Sequence, residues 1–412
     1  MNHVWAVVLA SVLVVLAIGW VAYDQFLHRL IPAAPQALRV EHPETVRNRI
    51  IAWNDAKKVF PEELNSAWRE AGGQFRWFDL PSICIIRDDL TEPNPETRLP
   101  GFYFDHAKDV RFADLPKPDK AFFLCLDEAT DEEWKQLAAF PNLVGIEMHH
   151  STISEIGIEH LCKARNLRAF AARRLNLKDK AVEHLASCKE MTHLCIWDSL
   201  FFDKFSMKRF SQFEKLECLT LSFNDPHVDM EPFPAFKKLR YLDVSLSSFE
   251  RPSLDKLKGL SNLEHLDLSH SDGFGKDFTP LRHLQQLKKL DLASVKLDKA
   301  ALNVIGSLKN LRSLNMNFAE LTDARLTEIA KLEHLEELNL GENKISDDTV
   351  QSLTPLRKLR KLNLSNTPIT NQAVPFLLDF PKLEELSVAH TRISSSGMSK
   401  LKRIPSLKKL NR

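Results

Sequence analysis

Residues 335–353 read LEELNLGENKISDDTVQSL. Successive side chains of a strand point to opposite sides, so Leu338 and Leu340 share the buried face of a short strand and Glu337, Asn339 and Gly341 share the other, with Leu335 turned inward just ahead of that alternation. Asn343 falls in the turn that follows, where a short polar side chain can satisfy the backbone it passes. Ile345 returns to the core. Ser346 and Asp347 are a helix-start signal, and Val350, Leu353 and Leu356 give a short helix one apolar stripe. A single unit of this kind cannot bury its own leucines, so the stretch implies neighbours on both sides.

The neighbours are present. The first leucine recurs at Leu143, Leu167, Met191, Leu216, Leu239, Leu263, Leu287, Leu311, Leu335, Leu359, Leu383 and Leu407, a step of 24 residues apart from one of 25 and a compensating 23. A degenerate earlier copy centres on Leu124 and Leu126. Stacking such units builds an α/β solenoid: a curved parallel sheet on the concave side, with strands about 4.8 Å apart, and short helices on the convex side. The turn position of Asn343 is held by Ser247, Ser271, Thr367 and Thr391 in other copies, but by Ala129, Leu175, Val295 and Ala319 elsewhere, so a continuous asparagine ladder is not expected. Thr322–Asp323, Thr370–Asn371 and Lys178–Asp179 repeat the helix-start signal. Pro226, Pro232, Pro234 and the Gly273–Phe274–Gly275 turn predict extended chain or single turns on the convex side of the middle repeats.

Outward from the repeats, four segments are expected: a transmembrane helix at 4–23, a Pro/Ala-rich linker at 24–40, a small α+β N-terminal cap at 41–116, and the solenoid at 117–412, about 12–13 repeats of 24 residues. Val4 to Tyr23 runs without a charge, long enough to cross about 30 Å of hydrocarbon as a helix. It implies a single-pass signal anchor, although a cleaved secretory signal ending near Ala17 and Gly19 competes with it. Arg29, Arg39, Arg47 and Arg49 lean towards a cytoplasmic solenoid and leave the side open. In the cap, Val46, Ile50, Ile51 and Trp53 suggest one amphipathic helix, Leu64 and Trp68 another, and Ser82 to Ile86 a buried strand.

Lys plus Arg number 56 and Asp plus Glu 55, which removes the positive field that nucleic-acid binding needs. With 44% hydrophobic and 27% charged residues the chain has the means to build a large core. The six cysteines, Cys84, Cys125, Cys162, Cys188, Cys195 and Cys218, show no compact framework and read as mostly free thiols, Cys188 standing where other repeats place Leu. No nucleophile elbow, phosphate loop or HExxH motif occurs, so neither catalysis nor a cofactor is expected.

The stretches LEELNLGENKISDDTVQSL and LRKLNLSNTPITNQAVPFL resemble the leucine-rich-repeat superfamily, in the helix-containing variety of ribonuclease-inhibitor-like and cysteine-containing repeats. The resemblance covers residues 117–412 and, together with the N-terminal segment, extends to membrane-anchored bacterial proteins of this kind. It implies binding of a protein partner on the concave face and names no partner.

The outward residues of the N-terminal strands supply the candidate surface: His149, Arg173, His193, Trp197, Phe223, Tyr241 and His265, rich in the aromatic and arginine side chains that dominate interface energetics. Asp243, Asp267 and Asp291 stack at equivalent positions, continued by Asn315, Asn339 and Asn363. Like charges at that spacing repel by about 0.9 kcal/mol even in bulk water, which leaves two readings: an offset by Lys289, a bound cation or a basic partner, or a solvated face that tolerates the cost. The remaining alternatives are a metal or small-molecule receptor and a structural envelope scaffold. For metal, His193, Cys195 and Cys218 share one face of neighbouring strands, with donor types that suit zinc.

Overall fold

A leucine that points inward on one strand can be shielded on its flanks only by its counterpart on the next, and the register obeys this demand. In the computed structural model, which describes residues 56, 58–79, 98–151, 153–173, 179–197, 208–222, 230–249 and 254–412, fifteen strands form one sheet in sequence order. They are β1 (Gln74–Asp79), β2 (Arg98–Phe104), β3 (Phe122–Asp127), β4 (Leu143–His149), β5 (Ala169–Arg173), β6 (His193–Trp197), β7 (Cys218–Thr220), β8 (Tyr241–Asp243), β9 (His265–Asp267), β10 (Lys289–Asp291), β11 (Ser313–Asn315), β12 (Glu337–Asn339), β13 (Lys361–Asn363), β14 (Glu385–Ser387) and β15 (Lys409–Asn411). β1 pairs antiparallel with β2, and every later pairing is parallel. Leu242, Leu266, Leu290, Leu314, Leu338, Leu362 and Leu386 lie side by side from β8 to β14 and are buried.

The convex side follows the local sequence. Helices form at α1 (Glu62–Glu70), α2 (Asp131–Leu137), α3 (Glu155–Leu161), α4 (Asp179–Ala186), α5 (Lys299–Ile305), α6 (Asp347–Ser352), α7 (Val374–Leu378) and α8 (Ser395–Leu401). In the middle repeats, where Pro232 and Pro234 stand, the described residues of the convex side form 3-10 turns at Phe210–Gln212, Phe233–Ala235, Leu254–Gly259 and Thr279–His283, the first of them following helical residues 208–209. Helix starts are tied from repeat to repeat: Asp323 Oδ1 accepts from the Ser346 amide at 2.6 Å, Asp347 from Thr370 at 2.7 Å and Asn371 from Ser394 at 3.0 Å. In α1, Leu64 and Trp68 are buried, and the Trp68 indole stacks on Phe102 of β2 at 4.5 Å and donates to the Pro116 carbonyl.

The turn after each inner strand carries a feature the repeat pattern does not announce. Leu246, His270, Ser294, Phe318, Glu342, Asn366 and His390, one per repeat, all have φ between 53° and 60°. This left-handed conformation costs a residue with a Cβ roughly 1–2 kcal/mol, and here the stack of hydrogen bonds on either side imposes it.

Three expectations are corrected. Among the described residues no helix is long and apolar enough to cross a membrane, so the single-pass placement is withdrawn; the 4–23 helix and the 24–40 linker lie outside the described residues, as do the helix at 46–53 and the strand at 82–86. The cysteines are not all free thiols. Cys162, at the end of α3, is bonded to Cys188, after α4, with Cα atoms 5.4 Å apart, and Cys195 is also disulfide-bonded. The 26-residue separation of Cys162 and Cys188 is one repeat plus two residues, which sets them on adjoining layers of the convex side. Disulfides are rare in reducing compartments, so these bonds also run against a cytoplasmic solenoid.

Candidate functional site: the inner wall of the sheet

The parallel register sorts the outward side chains of the wall into rows. One row runs through Ala169, His193, Cys218, Tyr241, His265, Lys289, Ser313, Glu337 and Lys361, one residue per strand from β5 to β13. The sequence-predicted His193, Tyr241 and His265 therefore belong together, and the Tyr241 and His265 rings lie 5.8 Å apart. Trp197 belongs to a different row, beside Arg173, and His149 stands on β4, opposite Asp127. Phe223 lies outside the described residues, and the side chain of Arg173 does too.

The N-terminal half of the wall is apolar and closely packed. Phe78, Phe123, Cys125, Ala169, Ala171, Cys195 and Cys218 form one buried cluster, with Tyr103, Trp197 and Tyr241 packed against it. Phe78 of β1 stacks on Phe123 of β3 at 4.5 Å. Burial has electrostatic consequences. It brings the imidazole of His193 down to about 4, and that of His265 to about 4 with help from the Lys289 charge. It raises the Cys218 thiol far above its ordinary range. The zinc alternative built on His193, Cys195 and Cys218 fails here: His193 and Cys218 are adjacent, but Cys195 is bonded in a disulfide and has no thiolate to offer.

The acidic stack is held by backbone donors. Asp243 Oδ1 accepts from the Ser245 amide at 2.9 Å, Asp267 from Ser269 at 2.8 Å and Asp291 from Ala293 at 3.0 Å. Asn315, Asn339 and Asn363 make the same bond to Asn317, Gly341 and Ser365. The row is thus an uninterrupted ladder of side chains that each tie down the backbone two residues on. The Asn315 amide donates to Asp291 at 2.9 Å. Asp267, half-buried between Asp243 and Asp291, has its carboxyl pushed well above the usual range by desolvation first and by its two acidic neighbours second. The amide donors offset part of the repulsion sought in the sequence, and desolvation with the two acidic neighbours still disfavours the charge on Asp267.

A family model described as Leucine Rich repeat matches residues 331–353 and 381–402. These two segments are leucine-rich repeats by that match, and the 24-residue period carries the same pattern along the sheet. Solved leucine-rich-repeat structures resemble it at the level of fold: a leucine-rich-repeat protein of Leptospira interrogans, 19% identical with a TM-score of 0.50, over 70% of this chain and 76% of that one; an internalin of Listeria monocytogenes, 19% identical with a TM-score of 0.48, over 68% and 88%; and the leucine-rich-repeat ectodomain of a plant membrane receptor kinase from Arabidopsis thaliana in complex with Casparian strip integrity factor 2, 17% identical with a TM-score of 0.49, over 70% and 41%. No curated protein sequence matches the chain.

Within this leucine-rich-repeat sheet two further groupings escaped the sequence reading. Along the edge where strands begin, Arg240, Glu264 and Lys288 form one ion-paired run, and Arg312–Glu336 and Arg360–Glu384–Lys408 two more, one residue per repeat. The 24-residue spacing of these charges was the available signal. At the other end of the wall, the carboxylate of Glu147 and the His149 ring are 3.2 Å apart, and the buried Cys125 thiol lies beside them. Burial, then the Glu147 charge, raises that thiol far above its ordinary range, while Arg76 opposes the rise. Tyr103, pushed up to about 12 chiefly by burial, packs next to it with the Arg76 guanidinium 4.1 Å from its ring centre.

Proposed function

We propose that this solenoid is a protein-interaction module whose partner lies across the row His193–Tyr241–His265–Lys289–Ser313–Glu337. The observation that carries the reading is that row itself: from Tyr241 onward, past the buried Cys218, partly exposed Tyr241 and His265 lead into the polar Lys289, Ser313 and Glu337, one per strand. Trp197 and Tyr241 are the anchors, because large rings already packed on a rigid cluster lose little freedom when a partner covers them. Leucine-rich-repeat proteins commonly bind protein, which agrees with this reading. Asp243, Asp267 and Asp291 are given a supporting part in this reading, since one carboxylate oxygen of each accepts from the wall's own backbone.

Site-specific photo-crosslinking in the full chain tests this. A photoreactive residue replacing Lys289 on the inner wall is expected to trap a protein, and one replacing Gln351 on the convex helix is not. Combining the probe at 289 with Trp197→Ala and Tyr241→Ala should cut adduct yield at least tenfold, since each anchor contributes about 2 kcal/mol when buried by a partner. Equal trapping from position 351, or an unchanged yield in the double variant, would remove the wall from consideration.

A further inference from the structure

We propose that Cys125, Glu147 and His149 form a binding site for a zinc-class divalent cation at the N-terminal end of the inner wall, independent of the protein-binding row. The parallel register creates the juxtaposition. Cys125 of β3 lies directly across from Glu147 of β4, and His149 follows Glu147 by two residues, on the same face. The thiol sulfur, a carboxylate oxygen and a ring nitrogen all come within 4.8 Å of one another, and the carboxylate and ring are already 3.2 Å apart. Donor atoms around a tetrahedral zinc ion stand about 3.5 Å from each other, so small side-chain rotations close the set.

The donor chemistry selects the ion. One thiolate, one imidazole and one carboxylate suit a borderline-soft ion, and they disfavour calcium and magnesium, which take oxygen donors. Cys125 is reduced, and it is buried at 4% exposure against Phe78 and Phe123, so the site has a dry floor. Three protein donors leave a fourth position facing the groove. Two charges nearby bear on affinity: Asp127, across the next rung from His149 and bonded to His150 at 3.1 Å, favours a cation, and Arg76 opposes one.

Cobalt(II) added to the metal-stripped full chain is the probe, because a cobalt–thiolate bond gives an intense near-ultraviolet charge-transfer band and tetrahedral cobalt gives strong visible bands. The site predicts both, saturating at one cobalt per chain and erased by excess zinc. Cys125→Ser should abolish the charge-transfer band, while Cys218→Ser, which removes the other free thiol among the described residues, should leave it intact. Glu147→Gln alters a partly exposed group with little effect on folding and should weaken cobalt at least tenfold, so the test survives if the cysteine variant fails to fold. Absence of the bands in the unaltered chain, their loss in Cys218→Ser, or undiminished binding in Glu147→Gln would overturn the assignment.

Discussion

Replacing Asn343 with Ala is expected to destabilise the solenoid by roughly 3–5 kcal/mol, far more than an ordinary polar-to-alanine change. The side chain is 3% exposed and acts as a five-way connector between two repeats. Its Oδ1 accepts from the amides of Ala319 and Leu321 at 3.1 and 3.0 Å, and its Nδ2 donates to the carbonyls of Met316, Leu340 and Gly341 at 2.8, 2.9 and 3.0 Å. Alanine abandons all of these groups in a place water does not reach, and a buried group left unmatched costs about 1–3 kcal/mol. Thr367, at the same place in the next repeat, makes one such bond, to the Leu364 carbonyl, so Thr367→Ala should cost only about 1 kcal/mol. Urea unfolding of the two variants, read with hydrogen exchange at the Ala319 and Leu321 amides, checks the contrast. Equal losses in both variants would mean that the asparagine is not the connector described.

The second large effect is in the pH dependence of stability. His193 and His265 titrate near 4 in the folded chain, against about 6.5 when unfolded. The folded state therefore binds fewer protons between those values. Stability is complete above pH 6.5 and declines as pH falls towards 4, by about 2 kcal/mol for each histidine at pH 4.5. Asp267 works in the opposite sense. Its folded carboxyl is held above the ordinary value of 3.8, so its contribution is complete below that value and is lost as pH rises through the folded one. Differences between variants separate the two. His193→Gln with His265→Gln should flatten the acid-side decline. Asp267→Asn keeps the acceptor for the Ser269 amide, copies the asparagines further along the ladder, and should raise stability at pH 7 by on the order of 1 kcal/mol, the repulsion of like charges one strand apart, with no gain near pH 3.5. Denaturant midpoints between pH 3.5 and 7.5 give both curves, and an Asp267→Asn gain that is the same at every pH would contradict the assignment.

How much of this was legible from the sequence depends on what each feature needs. The leucine rungs needed only a period, and Leu290, Leu314 and Leu338 pair where the 24-residue step puts them. An aspartate facing a partner and one bonding the amide two residues on occupy the same position in a repeat, so the sequence put Asp243, Asp267 and Asp291 in one row without announcing the amide bonds they make. The left-handed turn at Leu246 or Phe318 had no glycine to advertise it. Departures from the period hid the rest. Cys162 meets Cys188 at a separation of 26, and Cys125 meets Glu147, 22 residues on, because the first repeat is short. A strict 24-residue step would have paired that thiol with His149 instead.

The central claim is that consecutive repeats contribute neighbouring, in-register strands to one wall, and disulfide trapping tests it most directly. Ser313 and Glu337 are direct partners across β11 and β12, whereas Lys361 stands one strand further on. Adjacent Cα atoms about 4.8 Å apart lie within the span a disulfide accepts, and a separation of about 10 Å lies beyond it. Ser313→Cys with Glu337→Cys should therefore crosslink nearly completely under mild oxidation, and Ser313→Cys with Lys361→Cys should not crosslink within a chain. Failure of the first pair, or efficient bonding of the second, would contradict the layered wall on which the rest is built.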